Sequence, residues 1–245
     1  MANYVLVHGG NMSVDTWNRL TIGTHICTQD GKMGGKIWEP IIPALMERNY
    51  KAFTPDLADE YSHNLTEHIQ QICTLIIENE LKNVVLVGHS YGGMVISGVA
   101  SKLADRIAHL VFVDAALPNA GQSLFDIISS EGCDPLSFVG LEALPPYVEK
   151  LQFCFEKVKP LPKTYIRCMK SEFVMVTDSA KKISLQPVIH GEDILSCLQD
   201  MYQWRRCRKN LHNYFWTQAN ETASIILGRA HRVPVGVRRC WTELC

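Results

Sequence analysis

One serine in this chain stands in a setting that is typical of a catalytic nucleophile. Ser90 is the centre of Gly88-His89-Ser90-Tyr91-Gly92, which has the pattern G-x-S-x-G. The apolar run 83–87 before it predicts a buried strand, and the small and apolar residues 94–100 after it predict a helix. A sharp strand-to-helix turn exposes the hydroxyl and aims the helix N-terminus at developing negative charge. The pattern therefore predicts nucleophilic catalysis, and the alternative is a glycine-rich turn that carries a surface serine.

The elements around this turn predict an α/β protein. Strand-like and helix-like segments alternate along the chain, which indicates a doubly wound, mostly parallel sheet. The predicted strands are Tyr4–His8, Ala52–Leu57, 83–87, Leu110–Val113 and Tyr165–Cys168. One helix is predicted from near Glu39, with Ile41, Leu45 and Met46 on its buried face. Another follows the N-cap pattern Asn64 to Glu67 and buries Ile69, Ile72, Cys73, Ile76 and Ile77.

Composition limits the classes of function. The 245 residues include 47% hydrophobic and 20% charged residues, with a formal net charge of -1, so no nucleic-acid partner is expected. No apolar run is long enough to span a bilayer, and the first predicted strand follows Met1 closely, so we expect a cytoplasmic protein with no membrane partner. Asp56, Asp59 and Glu60 lack metal-ligand spacing, and no dinucleotide or phosphate-loop motif is present, so neither metal nor cofactor is predicted. A homodimer is left open.

Three segments carry a family resemblance: Tyr4–Gly10, the turn at Ser90, and Phe112–Pro118 followed by Gly121-Gln122-Ser123. Together they resemble the bacterial esterases of the α/β-hydrolase family, in the group related to plant methyl esterases and hydroxynitrile lyases. The resemblance implies an α/β-hydrolase fold in which backbone N–H groups near Gly10 and at Tyr91 form the oxyanion hole. The alternative for His8-Gly9-Gly10 is a tight turn with no further role. Residues 115–163, rich in proline, leucine and aromatic residues, are predicted to form a small helical lid.

The resemblance also implies the chain order serine, acid, base. His212 is the preferred base because residues 212–227 resemble the loop and closing helix in which that family carries its histidine. His190 is the alternative, His231 lies in the tail, and His109 begins a core strand, which favours a buried structural role. Asp114, at the end of its strand, is the preferred acid. Glu172 and Asp178 are alternatives that follow the next strand.

These residues predict a serine hydrolase that cleaves small carboxylic esters through Ser90, His212 and Asp114, with an acyl-enzyme intermediate. A hydroxynitrile lyase is the second hypothesis, although those relatives carry threonine or asparagine where this chain has Gly9. A non-catalytic binding protein that keeps the pocket is the third. The sequence from 188 onward departs from the family pattern. We expect a hydrolase domain over 1–228 and a disordered tail over 229–245.

Overall fold

A single parallel sheet organises the molecule. The computed structural model describes residues 2–10, 13–15, 18, 27–29, 31–138, 141–168 and 188–191. Within them six parallel strands lie in the order β2-β1-β3-β4-β5-β6. The strands are β1 (Asn3–Val7), β2 (Lys51–Phe53), β3 (Val84–His89), β4 (Ile107–Val113), β5 (Lys163–Cys168) and β6 (Val188–Gly191). This order confirms the predicted doubly wound α/β sheet.

Helices connect the strands. The α-helices are α1 (Ile42–Met46), α2 (Leu65–Glu78), α3 (Gly92–Lys102), α4 (Leu124–Ser130), α5 (Pro145–Val148) and α6 (Phe155–Val158). Short 3₁₀ helices cover Gly34–Ile41, Ala104–Arg106 and Pro135–Ser137. None of the helices in the described part of the chain has the length and hydropathy needed to cross a membrane.

Both faces of the sheet are buried, as expected of parallel strands. Alternate residues of β1 and β3 point to opposite sides, so that Leu86 packs with α2 and α3 and Val87 packs on the other face. On that second face Trp38 is 2% exposed and packs with Tyr4 and Leu6 of β1 in the same core cluster. The sheet is therefore a rigid base for the loops at its carboxyl edge.

The start of α2 follows the predicted capping pattern. Asn64 Oδ1 accepts a hydrogen bond from Glu67 N–H at 3.0 Å, and Glu67 Oε2 accepts one from Asn64 N–H at 2.8 Å. The buried face contains Ile69, Ile72, Cys73 and Ile76 as predicted, together with His68. The prediction for Ile77 is wrong, because this residue lies about 100° further round the helix than Ile76 and is 46% exposed.

Other boundaries also differ from the expectations. The strand expected over 52–57 ends at Phe53, since Pro55 has no N–H for the ladder, and the Asp56 carboxylate instead accepts a hydrogen bond from Gly35 N–H at 2.7 Å. The helix expected from near Glu39 begins five residues earlier as the 3₁₀ helix that starts at Gly34. Met46, expected on the buried face, is 65% exposed because the α-helix ends there.

The sheet has a sixth strand, β6, beyond the five strands that the sequence predicts. β6 pairs with β5 in parallel register, with His190 opposite Arg167. Its apolar pair Val188-Ile189 is too short to give a periodic signal, which is why the pattern did not indicate it.

The lid segment (residues 115–163) joins β4 to β5 and contains α4, α5 and α6 in its described part. Its helices are short, and Ser123 caps α4 by accepting a hydrogen bond from Asp126 N–H at 3.0 Å. Tyr147 of α5 and the following Leu151 are buried against α2 and α3. The segment is therefore packed on the domain; its function as a lid stays a prediction.

Candidate active site

Three of the predicted site residues lie at one edge of the sheet. The strand order reverses between β1 and β3, and loops that leave neighbouring parallel strands in opposite directions open a crevice at their carboxyl ends. Gly10 follows β1, Ser90 follows β3 and Asp114 follows β4. The fold thus brings together residues that are widely separated in sequence, at the place where α/β sheets bind ligands.

Ser90 adopts a backbone conformation that non-glycine residues rarely use. Its φ is +51°, in the left-handed region. The turn is tight, since a Cβ at Gly88 would lie 2.6 Å from the Gly92 carbonyl oxygen, and one at Gly92 would lie 2.7 Å from the carbonyl oxygens of both Val7 and His8. The Ser90 carbonyl accepts hydrogen bonds from Gly93 N–H at 3.1 Å and Ala116 N–H at 3.0 Å. Contacts on all sides therefore hold the strained residue, as is typical of functional turns.

The loop after β1 lies against the serine. A Cβ at Gly9 would lie 2.9 Å from Ser90 Cβ, so a residue with a side chain at this position would displace the nucleophile or the loop. Tyr91 directly precedes the first turn of α3, where backbone N–H groups have no intrahelical partner. Within the described residues no hydrogen bond engages the N–H of Gly10 or of Tyr91. With respect to the described part of the chain, both groups are candidate donors to a substrate oxygen.

His8 fixes the conformation of this loop. Leu57 N–H donates to His8 Nε2 at 2.9 Å, so Nε2 carries no proton, and Nδ1–H donates to the Gly9 carbonyl at 2.7 Å. The imidazole is 2% exposed, and this burial lowers the His8 pKa from 6.5 to about 4. A neutral imidazole of one tautomer therefore ties the loop to the segment after β2.

Asp114 shares features with Ser90. Its φ is +44°, it is 4% exposed, and its N–H donates to the Ile166 carbonyl of β5 at 2.8 Å. Tyr165 supports the next residue, because its hydroxyl accepts from Ala115 N–H at 3.1 Å and donates to the Ala115 carbonyl at 2.6 Å. These contacts hold the backbone at the end of β4, from which the Asp114 side chain extends.

The other predicted residues have mixed outcomes. His109 is buried, and its Nε2 lies 2.9 Å from the Thr164 hydroxyl, which confirms the structural interpretation. The backbone of His190 lies within β6. Four predicted residues lie outside the described part of the chain: His212, His231, Glu172 and Asp178.

A buried polar network beside the site escaped the sequence analysis. Tyr91 Oη lies 3.0 Å from His68 Nδ1, and His68 Nε2 lies 3.0 Å from the Ala58 carbonyl, so Nε2–H donates to Ala58 and Nδ1 accepts from Tyr91. Nearby, Tyr147 donates to Glu60 at 2.5 Å. Burial lowers the pKa of His68 and raises that of Tyr91, so both groups are neutral at pH 7. Of these four side chains, only His68 has a sequence signal: its helical spacing with Ile72 places it on the buried face of α2.

In the described ranges, no group of three or more histidine, cysteine, aspartate or glutamate side chains has an arrangement that could hold a metal ion. Among the described residues, this edge of the sheet carries a serine hydroxyl, two backbone N–H groups and a buried carboxyl group.

Comparison with known proteins identifies the class. The sequence profile of the alpha/beta hydrolase family matches residues 4–206, and the chain belongs to that family. A carbendazim hydrolyzing esterase from Nocardioides sp. (strain SG-4G) is 34% identical over 156 residues, which are 60% of this chain and 51% of that protein. The putative chloroplastic methylesterase 14 of Arabidopsis thaliana is 27% identical over 131 residues, 50% of this chain and 38% of the relative. The chain thus spans about half the length of the curated relatives it matches, or less.

Solved structures agree on the fold. Polyneuridine aldehyde esterase superposes with a TM-score of 0.67 at 16% identity, covering 94% of this chain and 100% of that one. An extracellular alpha/beta-hydrolase from a Paenibacillus species gives a TM-score of 0.61 at 18% identity, covering 95% and 100%. At such identities these structures support the α/β-hydrolase fold.

Proposed function

We propose that this protein is a carboxylic ester hydrolase with Ser90 as its nucleophile. The observation that carries the proposal is the strained turn of Ser90, at φ +51°, with the glycine loop after β1 packed on its side chain. A strained backbone held on all sides by packed atoms is typical of active sites. Two relatives, a carbendazim hydrolyzing esterase and a putative methylesterase, favour small esters as substrates by their names.

The reaction would proceed in two halves. Ser90 Oγ attacks the ester carbonyl while a histidine accepts its proton, and the tetrahedral oxyanion accepts hydrogen bonds from the N–H groups of Gly10 and Tyr91. The alcohol leaves with that proton. Water then attacks the acyl-enzyme, again with the histidine as base, and releases the acid. We assign the base to His212 and the carboxylate that orients it to Asp114, whose burial at the end of β4 suits that role.

The test is a panel of chromogenic esters that includes acetate, butyrate and methyl esters. We expect turnover of the short-chain aryl esters and a loss of about 10³-fold or more in Ser90→Ala. A fluorophosphonate probe, which reacts only with an activated serine, should label the wild type and leave Ser90→Ala unlabelled. Equal turnover by the two proteins would refute the role of Ser90. A folded wild type that neither labels nor turns over esters would instead favour a binding protein.

Gly9 disfavours a hydroxynitrile lyase, because those relatives carry threonine or asparagine at this position. A threonine or asparagine at position 9 would place its Cβ 2.9 Å from Ser90 Cβ and 3.1 Å from His89 Nδ1. The loop would have to move to accept it. A cyanohydrin added to the panel separates the reactions, since a lyase would release cyanide and a carbonyl compound from it and would not require water.

A further inference from the structure

One aromatic side chain of the lid segment contacts both halves of the proposed oxyanion hole. Tyr147, on α5, is 1% exposed. A Cβ at Gly10 would lie 2.7 Å from the Tyr147 hydroxyl oxygen, so this hydroxyl lies directly over the Gly10 backbone. The Tyr147 ring also meets the Tyr91 ring edge to face, with centroids 5.0 Å apart and an interplanar angle of 82°. One residue therefore touches the two residues whose N–H groups would bind the oxyanion.

Two carboxylates fasten this part of the lid segment to the domain. The Tyr147 hydroxyl donates to Glu60 Oε1 at 2.5 Å, and Glu60 is 6% exposed. Two residues further on, Glu149 accepts from the N–H of Thr66 at 3.0 Å and from its hydroxyl at 2.5 Å, in the first turn of α2. Hydrogen bonds to carboxylates are among the strong ones, and an anion at a helix N-terminus is favoured. α5 is thus held at two points.

The hydrogen bond to Glu60 decides what Tyr147 can do. A phenol has one hydrogen, and Glu60 accepts it, so the hydroxyl cannot also donate to a substrate oxygen. Its contact with Gly10 is one of packing. Gly10 has no side chain through which neighbours could hold it, while the preceding residue is held through its carbonyl by His8. Tyr147 supplies the wall on the other side of the loop.

We propose that Tyr147 is a positioning residue that holds Gly10 and Tyr91 in register, so that the oxyanion hole is complete only while α5 is docked through Glu60. This inference rests on the proposed esterase function. It adds to that function a role for the lid segment in transition-state binding.

The test compares four variants with the wild type on one aryl ester. In Tyr147→Phe and Glu60→Ala we expect kcat to fall about tenfold, less than the 10²–10³ that follows removal of an oxyanion donor, with KM within about twofold. The inhibition constant of a trifluoromethyl ketone, which forms an oxyanion in the hole, should rise by the same factor as kcat/KM falls. Glu60→Gln keeps an acceptor oxygen and should restore most of the activity that Glu60→Ala loses.

The chain offers a matched control. Tyr61, 64% exposed, pairs with Glu142 at 3.3 Å and joins the same two segments without touching Gly10. Tyr61→Phe should leave kcat and the ketone affinity unchanged. Wild-type kcat and ketone affinity in Tyr147→Phe would refute the proposal, and so would a Glu60→Gln as impaired as Glu60→Ala. In either case continued fluorophosphonate labelling of Ser90 would leave the proposed function standing, whereas absence of labelling and turnover in the wild type would refute both.

Discussion

Two buried histidines near the nucleophile, His8 and His89, predict that the protein loses stability in mildly acid solution. Burial lowers the pKa of His8 to about 4, and burial, together with the nearby His8, lowers the pKa of His89 to about 4. In the unfolded chain a histidine titrates near 6.5. Between these values the unfolded state binds protons that the native state does not. The free energy of unfolding is therefore at its maximum above pH 6.5 and decreases as the pH falls toward 4.

The size of the effect follows from the two pKa values. Linkage gives a loss of about 2 kcal/mol between pH 7 and pH 4.5 for His8, against a total stability of about 5–15 kcal/mol for a typical domain. His89 adds to the loss with the same sign. The part of the window above about pH 5.5 lies above the range in which aspartate and glutamate ordinarily titrate, so the histidine contribution is measured there apart from acid denaturation by carboxylates.

Urea unfolding followed by tryptophan fluorescence at pH 7.5, 6.5, 5.5 and 4.5 measures this directly. His8→Gln retains an acceptor for Leu57 N–H but loses the short bond to Gly9, so at pH 7.5 it should be about 1 kcal/mol less stable than the wild type. His89→Asn is milder, since His89 Nδ1 has no hydrogen-bond partner among the described residues. Each variant should lose less stability on acidification, and the double variant least. Parallel pH profiles for wild type and double variant would refute the reasoning.

Three further predictions concern the site and the chain end. A Cβ at Gly9 would press on Ser90 at 2.9 Å, so Gly9→Ala should lower kcat about tenfold or more with an unchanged fold by circular dichroism; a wild-type kcat would mean that the loop yields. If Asp114 orients the base, Asp114→Asn should cost about 10⁴ in kcat, as the corresponding substitution does in serine proteases, and Glu172→Gln should cost little; the opposite ranking would assign the acid to Glu172. Truncation after Gly228 should change the unfolding free energy by under about 1 kcal/mol, as for an unanchored terminus, and a large drop in Tm would show a packed tail.

The sequence was informative where structure is encoded by neighbours in the chain. The turn at Ser90 is specified by glycines two residues away on each side, and the cap of α2 by Asn64 and Glu67, three residues apart. Both were predictable because steric room and hydrogen-bond reach act over that distance. The strands β1 to β5 were also predictable, because each one contains a run of apolar residues that are neighbours in the chain.

Contacts between distant segments gave no such signal. Tyr147 and Glu60 are 87 positions apart, and neither stands in a recognisable motif. Met46 and Ile77 fit apolar patterns, yet both are exposed: the α-helix of Met46 ends at that residue, and Ile77 lies about 100° further round its helix than Ile76. Periodicity indicates which face of a helix is apolar; only the packing of other elements decides how far along the helix that face is covered.

The oxyanion loop shows why the motif alone does not make the site. Gly9 and Gly10 have no side chains, which lets the loop approach Ser90 closely. The same absence leaves both residues without an intrinsic conformational preference. Neighbours must supply the order: His8 through the Gly9 carbonyl, and Tyr147 through contact with Gly10. The donor at Tyr91 is fixed separately by a hydroxyl bonded to His68. Catalytic geometry in this fold would therefore depend on side chains of ordinary appearance, and substitutions there should lower kcat while every residue of the G-x-S-x-G pattern stays in place.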